Sequence, residues 1–330
     1  MKKALHIFAI NGKTNSGDFF LGPATKWKFE QTVNEEINWY NFDVRKPVTN
    51  DDVNYFNTFD YVVVGGGGLL LPDTNPNMTS CWQWAISSQL INQITSKMYV
   101  LGLGWNLFYG QTVMMPEKNN NEIPQRKDIL KDNLETLINK CEVFSMRHVG
   151  DCERLKEIVD KKYHNQIEFE LCPVIGYVEQ KYKENFQSNK RFHTFEIKDD
   201  RLPRRYHKIT MSVFYNQLFS YIQKLRQQGE EIAVMSHDGS DSFIRFLASR
   251  NIPFHVINNT VANEQQIIDN YSHVKKLYCT AGHSQMMAHA LDIDAYSLIT
   301  HDKLQYFLED TGTFNNHNHW IVNEEEFNLL

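Results

Sequence analysis

The strongest chemical signal in the chain is four consecutive glycines, Gly65, Gly66, Gly67 and Gly68, directly after the apolar run Tyr61-Val62-Val63-Val64. Glycine loses more backbone freedom on folding than any other residue, so four together belong where a chain turns sharply or comes close to a ligand. At the carboxyl end of a buried strand they would cradle a phosphate; a tight strand-to-helix turn without a ligand is the plainer reading. Side chains suited to an anion lie further along. Arg147 follows an apolar strand-like run and offers a planar fork for phosphate or carboxylate, with an ordinary surface ion pair as the alternative. His283 stands at the start of a helical stretch, where its ring and the helix N-terminus would face one anion, unless it is a core or capping histidine. Lys303 and the basic loop carrying Arg201, Arg204 and Arg205 add positive charge, which is also what a solvated surface looks like.

Spacing excludes several other sites. Gly12-Lys13-Thr14 follows a strand-like run, but a P-loop needs a glycine five positions before Gly12, and Ile7 stands there. Leu70, Leu71 and Leu107 occupy the closing positions of every possible Gly-x-Gly-x-x-Gly, so a nicotinamide enzyme is not expected. Asp292-Ile293-Asp294, His317 with His319, and His283 with His289 each lack a convincing further ligand, and no metal is expected. The five cysteines (Cys81, Cys141, Cys152, Cys172, Cys279) are odd in number and form no Cys-x-x-Cys, against a disulfide framework or a zinc site. A formal charge of -6 argues against a nucleic-acid partner. No stretch approaches the roughly 18 apolar residues of a transmembrane segment. The basic start and apolar run to Ile10 are too short for a signal peptide and lack a cleavage site, so they read as the first strand of a cytoplasmic protein.

The elements that must position these residues alternate. Apolar, β-rich runs at Ala4–Ile10, Ile37–Phe42, Tyr61–Val64, Met98–Gly102, Val143–Met146 and Glu168–Val174 enclose helical spacing at Thr79–Ser96 and Arg126–Lys140, with a polar loop at Pro116–Pro124. After a charged stretch from Gln180 to Arg191 a second set follows. It has strands at Phe192–Ile197, Ile232–Ser236, Phe254–Ile257, Leu277–Thr280 and Ala295–Ile299, and helices at Tyr215–Gln228, Ser242–Arg250 and Gln285–Leu291. A length of 330 residues suits two domains. The expectation is an α/β protein of two Rossmann-like domains facing across a cleft, a GT-B-like architecture, divided into 1–178 and 179–330.

A set of motifs in chain order then resembles one family. Asn15-Ser16-Gly17-Asp18 with Leu21 and Ala24, Asp60 through Leu70, Gly102-Leu103-Gly104, Phe144-Ser145-Met146-Arg147, Cys172-Pro173, His237-Asp238 with Asp241, Gly282-His283 with Ala288, and Lys303 with Phe307 are together similar to the polysaccharide pyruvyl transferases. That resemblance spans almost the whole chain. It implies transfer of a pyruvyl group from phosphoenolpyruvate to a sugar of a glycan precursor as a ketal. It also implies an acceptor-binding first domain and a donor-binding second one, with no resident cofactor. His283, Asp18 and Arg147 would be catalytic, Asp18 as the base for the acceptor hydroxyl or else a helix cap. Gly65 to Gly68, Arg204, Arg205, His237, Asp241 and Lys303 would hold the donor, with Asp241 alternatively capping the helix after it. Asn15 and Trp105 would meet the acceptor, a glycan or lipid-linked sugar; Trp105 belongs to an aromatic group with Trp82, Trp84, Phe108 and Tyr109 that suits sugar stacking or core packing. Ala281 stands where the family has a donor-binding arginine, a charge that Arg204 and Arg205 would have to replace. The departure leaves two other readings open: a GT-B glycosyltransferase using a nucleotide sugar, and a glycan-binding protein without catalysis. A homo-oligomer fits either enzyme.

Overall fold

The structure, a computed structural model, describes residues 1–10, 16–107, 123–198, 202, 210–236, 241–260, 263–315 and 318–321, with the side chains of 16–18, 123, 124, 241 and 321 excepted. The chain divides into two compact units, Met1–Ile10 with Leu21–Pro173 and Asn11–Phe20 with Val174–Leu330.

In the first unit, β1 (Lys2–Phe8), β2 (Ile37–Asp43), β3 (Tyr61–Leu70), β4 (Lys97–Trp105), β5 (Cys141–Met146) and β6 (Ile167–Phe169) form one six-stranded sheet in the order β2-β1-β3-β4-β5-β6. All five strand pairs are parallel. The central strands β3 and β4 are buried along almost their whole length, as their unalternating apolar sequences require of strands covered on both faces. Pleating sends Leu5, Ile7, Val62, Val64 and Val100 into one core and Ala4, Tyr61, Val63, Tyr99 and Leu101 into another. Helix α1 (Ser16–Val33) covers the second, its Phe29 ring lying edge-on to those of Trp39, Tyr61 and Tyr99 with centroids 5.5, 5.2 and 5.0 Å away. Helices α2 (Asn50–Phe56), α3 (Ser88–Gln93), α4 (Ile123–Lys140) and α5 (Val149–Lys156) belong to the same unit.

Three local expectations need correction. The helical spacing of Thr79–Ser96 yields only the short α3, because the preceding residues are organised by side chains instead of helical bonds. Asn77 Oδ1 accepts from the amides of Thr79, Ser80 and Cys81 at 2.9, 2.9 and 3.3 Å. Arg126 reaches over from α4 and donates to the carbonyls of Pro72, Asn75 and Asn77 at 3.3, 2.7 and 3.3 Å. The strand expected at Glu168–Val174 stops at Phe169, and Pro173 opens α6 (Pro173–Tyr182), since proline suits the first turn of a helix, where its missing N–H has no partner to lose. The glycines lie inside β3, which continues to Leu70, and do not form a turn after it.

The second unit repeats the plan. Strands β7 (Phe192–Glu196), β8 (Glu231–Ser236), β9 (His255–Asn258), β10 (Val274–Cys279), β11 (Asp294–Ile299) and β12 (His319–Ile321) form a parallel sheet in the order β12-β11-β10-β7-β8-β9. Helices α7 (Met211–Gln227), α8 (Asp241–Ser249), α9 (Glu264–Ser272), α10 (Gly282–Ala290) and α11 (Asp302–Asp310) accompany it. The core centres on Phe195 and Tyr278, stacked with centroids 4.5 Å apart, beside Phe214, Tyr215 and Phe243. Among the described residues no helix is long and apolar enough to cross a membrane.

Candidate functional site

Open parallel sheets take ligands where strand order reverses, because consecutive connections then leave on opposite faces and the carboxyl ends splay apart. The first unit reverses between β1 and β3, the second between β7 and β10. The glycines and Thr280 through His283 therefore fall at the two topological switch points.

In the first unit, Gly65, Gly66 and Gly67 have φ of 146°, 81° and 97°, values that side-chain-bearing residues rarely adopt. Each glycine also makes room for a particular neighbour. A Cβ on Gly65 would lie 2.2 Å from the Leu101 carbonyl oxygen, on Gly66 2.6 Å from Thr25 Oγ1, on Gly67 2.8 Å from Leu21 Cδ1 and on Gly68 2.6 Å from Asn106 Nδ2. The absent side chains thus admit α1 and the end of β4 to close quarters with β3. Next door, Gly102 (φ 58°) donates its N–H to Ser145 Oγ at 3.0 Å; that hydroxyl donates to Glu170 Oε2 at 3.0 Å, and Glu170 pairs with Lys28 at 2.6 Å.

Arg147, two residues beyond Ser145, is 2 % exposed. Its guanidinium lies against Gly104, where a Cβ would sit 2.3 Å from Nε. Among the described residues its nearest carboxylate is Asp151, with Oδ2 at 3.8 Å from Nε, and neither Nε nor Nη2 has a hydrogen-bond acceptor. A buried cation with unmade hydrogen bonds is costly, and an anion in its fork would remove that cost.

Sequence reasoning passed over His6. This β1 residue is fully buried and its Nε2–H donates to the Gly65 carbonyl at 2.9 Å. Burial pushes its pKa down to about 3, so the ring is neutral. Trp82, Trp84 and Trp105 all belong to the core, at 0 %, 0 % and 6 % exposure, as the packing alternative has it.

In the second unit, Thr280 and Ala281 carry β10 into α10. The Thr280 amide donates to the Glu196 carbonyl at 3.1 Å, and its hydroxyl accepts from Lys198 N at 2.6 Å, tying the ends of β7 and β10 together. Ala281 is the N-cap of α10 and supplies no side-chain cap. The Lys303 stem crosses Gly282, where a Cβ would lie 3.1 Å from its Cε, so Lys303 lies over the start of this helix, whose second residue is His283. Lys303 is itself placed by α11, its amide donating to the N-cap His301 Nδ1 at 3.1 Å. Gln285 anchors α10 from below through Ser297 Oγ at 2.8 Å and the Leu304 carbonyl at 3.0 Å. A second residue that sequence reasoning missed is Glu196, fully buried at the end of β7 in register with Cys279. Burial, with the Glu196 charge adding to it, raises the Cys279 thiol and the Tyr271 hydroxyl well above their ordinary values. A charged residue ending the apolar run from Phe192 was the available signal.

Asp18 lies in the first turn of α1, and Asp241 is the first residue of α8; their side chains lie outside the described set. Asn15, Arg201, Arg204, Arg205, His237, Phe108 and Tyr109 lie outside the described residues. Among the described residues no group of three or more His, Cys, Asp or Glu side chains is placed to hold a metal.

No protein-family model matches the chain, and no curated protein sequence does. Solved structures do. A Listeria monocytogenes protein described as a UDP-N-acetylglucosamine 2-epimerase aligns over 90% of this chain and 78% of its own, at 12% identity and a TM-score of 0.50. An alpha-glucosyltransferase in complex with UDP and DNA aligns over 90% and 79%, at 9% identity and a TM-score of 0.49. The UDP-GlcNAc 2-epimerase of Methanocaldococcus jannaschii aligns over 90% and 83%, at 10% identity and a TM-score of 0.47. At such identities the likeness is one of fold: two parallel, six-stranded α/β units of the GT-B class, as the alternation of strands and helices leads one to expect.

Proposed function

We propose that the protein is a GT-B-type transferase whose donor is a nucleoside diphosphate sugar and whose acceptor is a glycan or lipid-linked sugar. The observation that carries this reading is the start of α10: a helix N-terminus without a side-chain cap, at a topological switch point, with His283 in its first turn and Lys303 laid across Gly282. The positive end of a helix without a side-chain cap suits a diphosphate, and the lysine neutralises it. The substrate class named for the Listeria monocytogenes structure is in keeping with this donor. In the transfer, an acceptor hydroxyl attacks the anomeric carbon, the bond to the diphosphate oxygen breaks, the nucleoside diphosphate leaves, and the hydroxyl proton passes to a base, the role given to Asp18. Arg147 and the glycine end of β3 would serve the acceptor.

Pyruvyl transfer from phosphoenolpyruvate is the second reading. The buried fork of Arg147 and the order of the family motifs favour it, and Ala281 weighs against it. Calorimetric titration with UDP, the other nucleoside diphosphates and phosphoenolpyruvate separates the two. Binding of one nucleotide, weakened tenfold or more by Lys303→Ala, is the expected result. Binding of phosphoenolpyruvate alone would replace the leading reading with the second. Binding of a nucleotide sugar with no turnover on any glycan acceptor would leave a binding protein.

A further inference from the structure

The β1/β3 switch point contains a device that the transfer scheme does not use. His6 sits in the middle of β1, fully buried, on the face that Ala4, Phe29, Tyr61, Val63 and Leu101 make apolar. Its ring stacks on Phe8 with centroids 4.3 Å apart and meets the edge of Trp39 at 6.0 Å. An alkyl or phenyl side chain would fill that space without bringing polar atoms into it. The imidazole instead brings two nitrogens, of which Nε2–H donates to the Gly65 carbonyl at 2.9 Å and Nδ1 is buried without a partner among the described residues. Leaving one buried ring nitrogen unmet is costly, so the ring is in place for what the other nitrogen holds.

What it holds is the first peptide of the glycine segment. The ladder between β1 and β3 runs in register from Ala4 opposite Tyr61 to Ile7 opposite Val64 and ends there. At the next residue, Gly65, φ swings to 146°, and Gly66 and Gly67 follow at 81° and 97°. Glycine permits these angles but does not select them, because its backbone is nearly indifferent to the sign of φ. A fixed donor to one carbonyl selects the set: with the Gly65 oxygen held on the α1 side, the plane of the Gly65–Gly66 peptide is fixed, and with it the path of Gly66 under Thr25 and of Gly67 under Leu21.

We infer that His6 is a positioning residue for the ligand end of the first unit, holding the Gly65 carbonyl so that Gly65 to Gly68 keep one backbone conformation. The inference rests on the reading that this end of β3 meets the acceptor, but its test uses no ligand, so the two fail separately. The full-length protein is labelled with [15N]glycine and [15N]histidine, and wild type is compared with His6→Leu and His6→Gln, glutamine placing an amide N–H close to where Nε2 stood. In wild type, a slowly exchanging proton on Nε2 and a bare Nδ1 are expected for one histidine. His6→Leu is expected to shift or broaden the cross-peaks of Gly65 and Gly66 while Gly229 and Gly312, distant in sequence, keep theirs; His6→Gln is expected to restore the wild-type glycine pattern. If His6→Leu leaves the Gly65 to Gly68 cross-peaks in place and changes only the melting temperature, His6 is a packing residue and the inference falls. It falls equally if His6→Leu does not fold and His6→Gln folds with a displaced glycine pattern.

Discussion

Gly104 and Arg147 show how one missing methyl group sets a functional side chain. The guanidinium occupies the volume a Cβ would take, with Nε, Cζ and Nη2 at 2.3, 2.4 and 2.6 Å from that point. Gly104→Ala must therefore push a buried cation off its seat, and overpacking of this kind typically costs about 1–3 kcal/mol. We expect urea unfolding to show that loss, together with weaker binding of whichever anionic ligand Arg147 holds; an unchanged unfolding midpoint would mean that the arginine moves freely. His6 supplies a second expectation. Its folded pKa is about 3 against an ordinary 6.5, so between these values the unfolded chain binds the extra proton. The stability His6 contributes is complete above about pH 6.5 and is lost as the pH falls toward 3, at about 1.4 kcal/mol per pH unit. Stability measured from pH 7 to 4.5 should fall less steeply in His6→Gln than in wild type; parallel curves would contradict a buried neutral ring.

Among the elements, α6 and α9 are joined by one carboxylate. Glu264, the first residue of α9, accepts from Tyr177 at 2.9 Å, from Lys181 at 2.7 Å and from Tyr182. Its position in the first turn also favours its negative charge through the helix dipole. Glu264→Ala removes the acceptor shared by two tyrosine hydroxyls and Lys181, which keeps its bond to the Tyr177 hydroxyl at 2.7 Å, and we expect a loss on the order of 1–3 kcal/mol by urea unfolding, part of it recovered in Glu264→Gln. A loss below about 0.5 kcal/mol would show the cluster to be a solvated surface pair. This joint was hidden in the sequence, where Glu264 stands 87 residues from Tyr177 and 83 from Lys181. The same holds for residues 79–87, the first part of the Thr79–Ser96 stretch whose apolar spacing imitates a helix. Their conformation is set by Asn77 and Arg126, and Arg126 lies beyond the next helix and strand in the chain. Strands were more legible: β3, β4 and the Ile232–Met235 run of β8 announce themselves as apolar runs, because burial on both faces leaves no room for polar alternation.

For the whole molecule, two sets of alternating strands and helices were enough to imply two parallel sheets, since parallel strands need helical crossovers and crossovers need both faces covered. Strand order was not legible. Nothing local distinguishes β2 on one side of β1 from β3 on the other, yet that reversal makes the carboxyl ends of β1 and β3, and of β7 and β10, the places where a ligand is expected. By itself the sequence determined the α/β class, the two sheets, the glycine run and the identities of Arg147, His283 and Lys303, because periodicity, propensity and charge are carried by residue types. Only the tertiary structure decided that Arg147 is buried against Gly104, that Lys303 crosses Gly282, and that His6 and Glu196 belong to the switch points. Those facts depend on contacts between residues distant in the chain, whose geometry is settled by which strands lie side by side and by the volumes their side chains leave open.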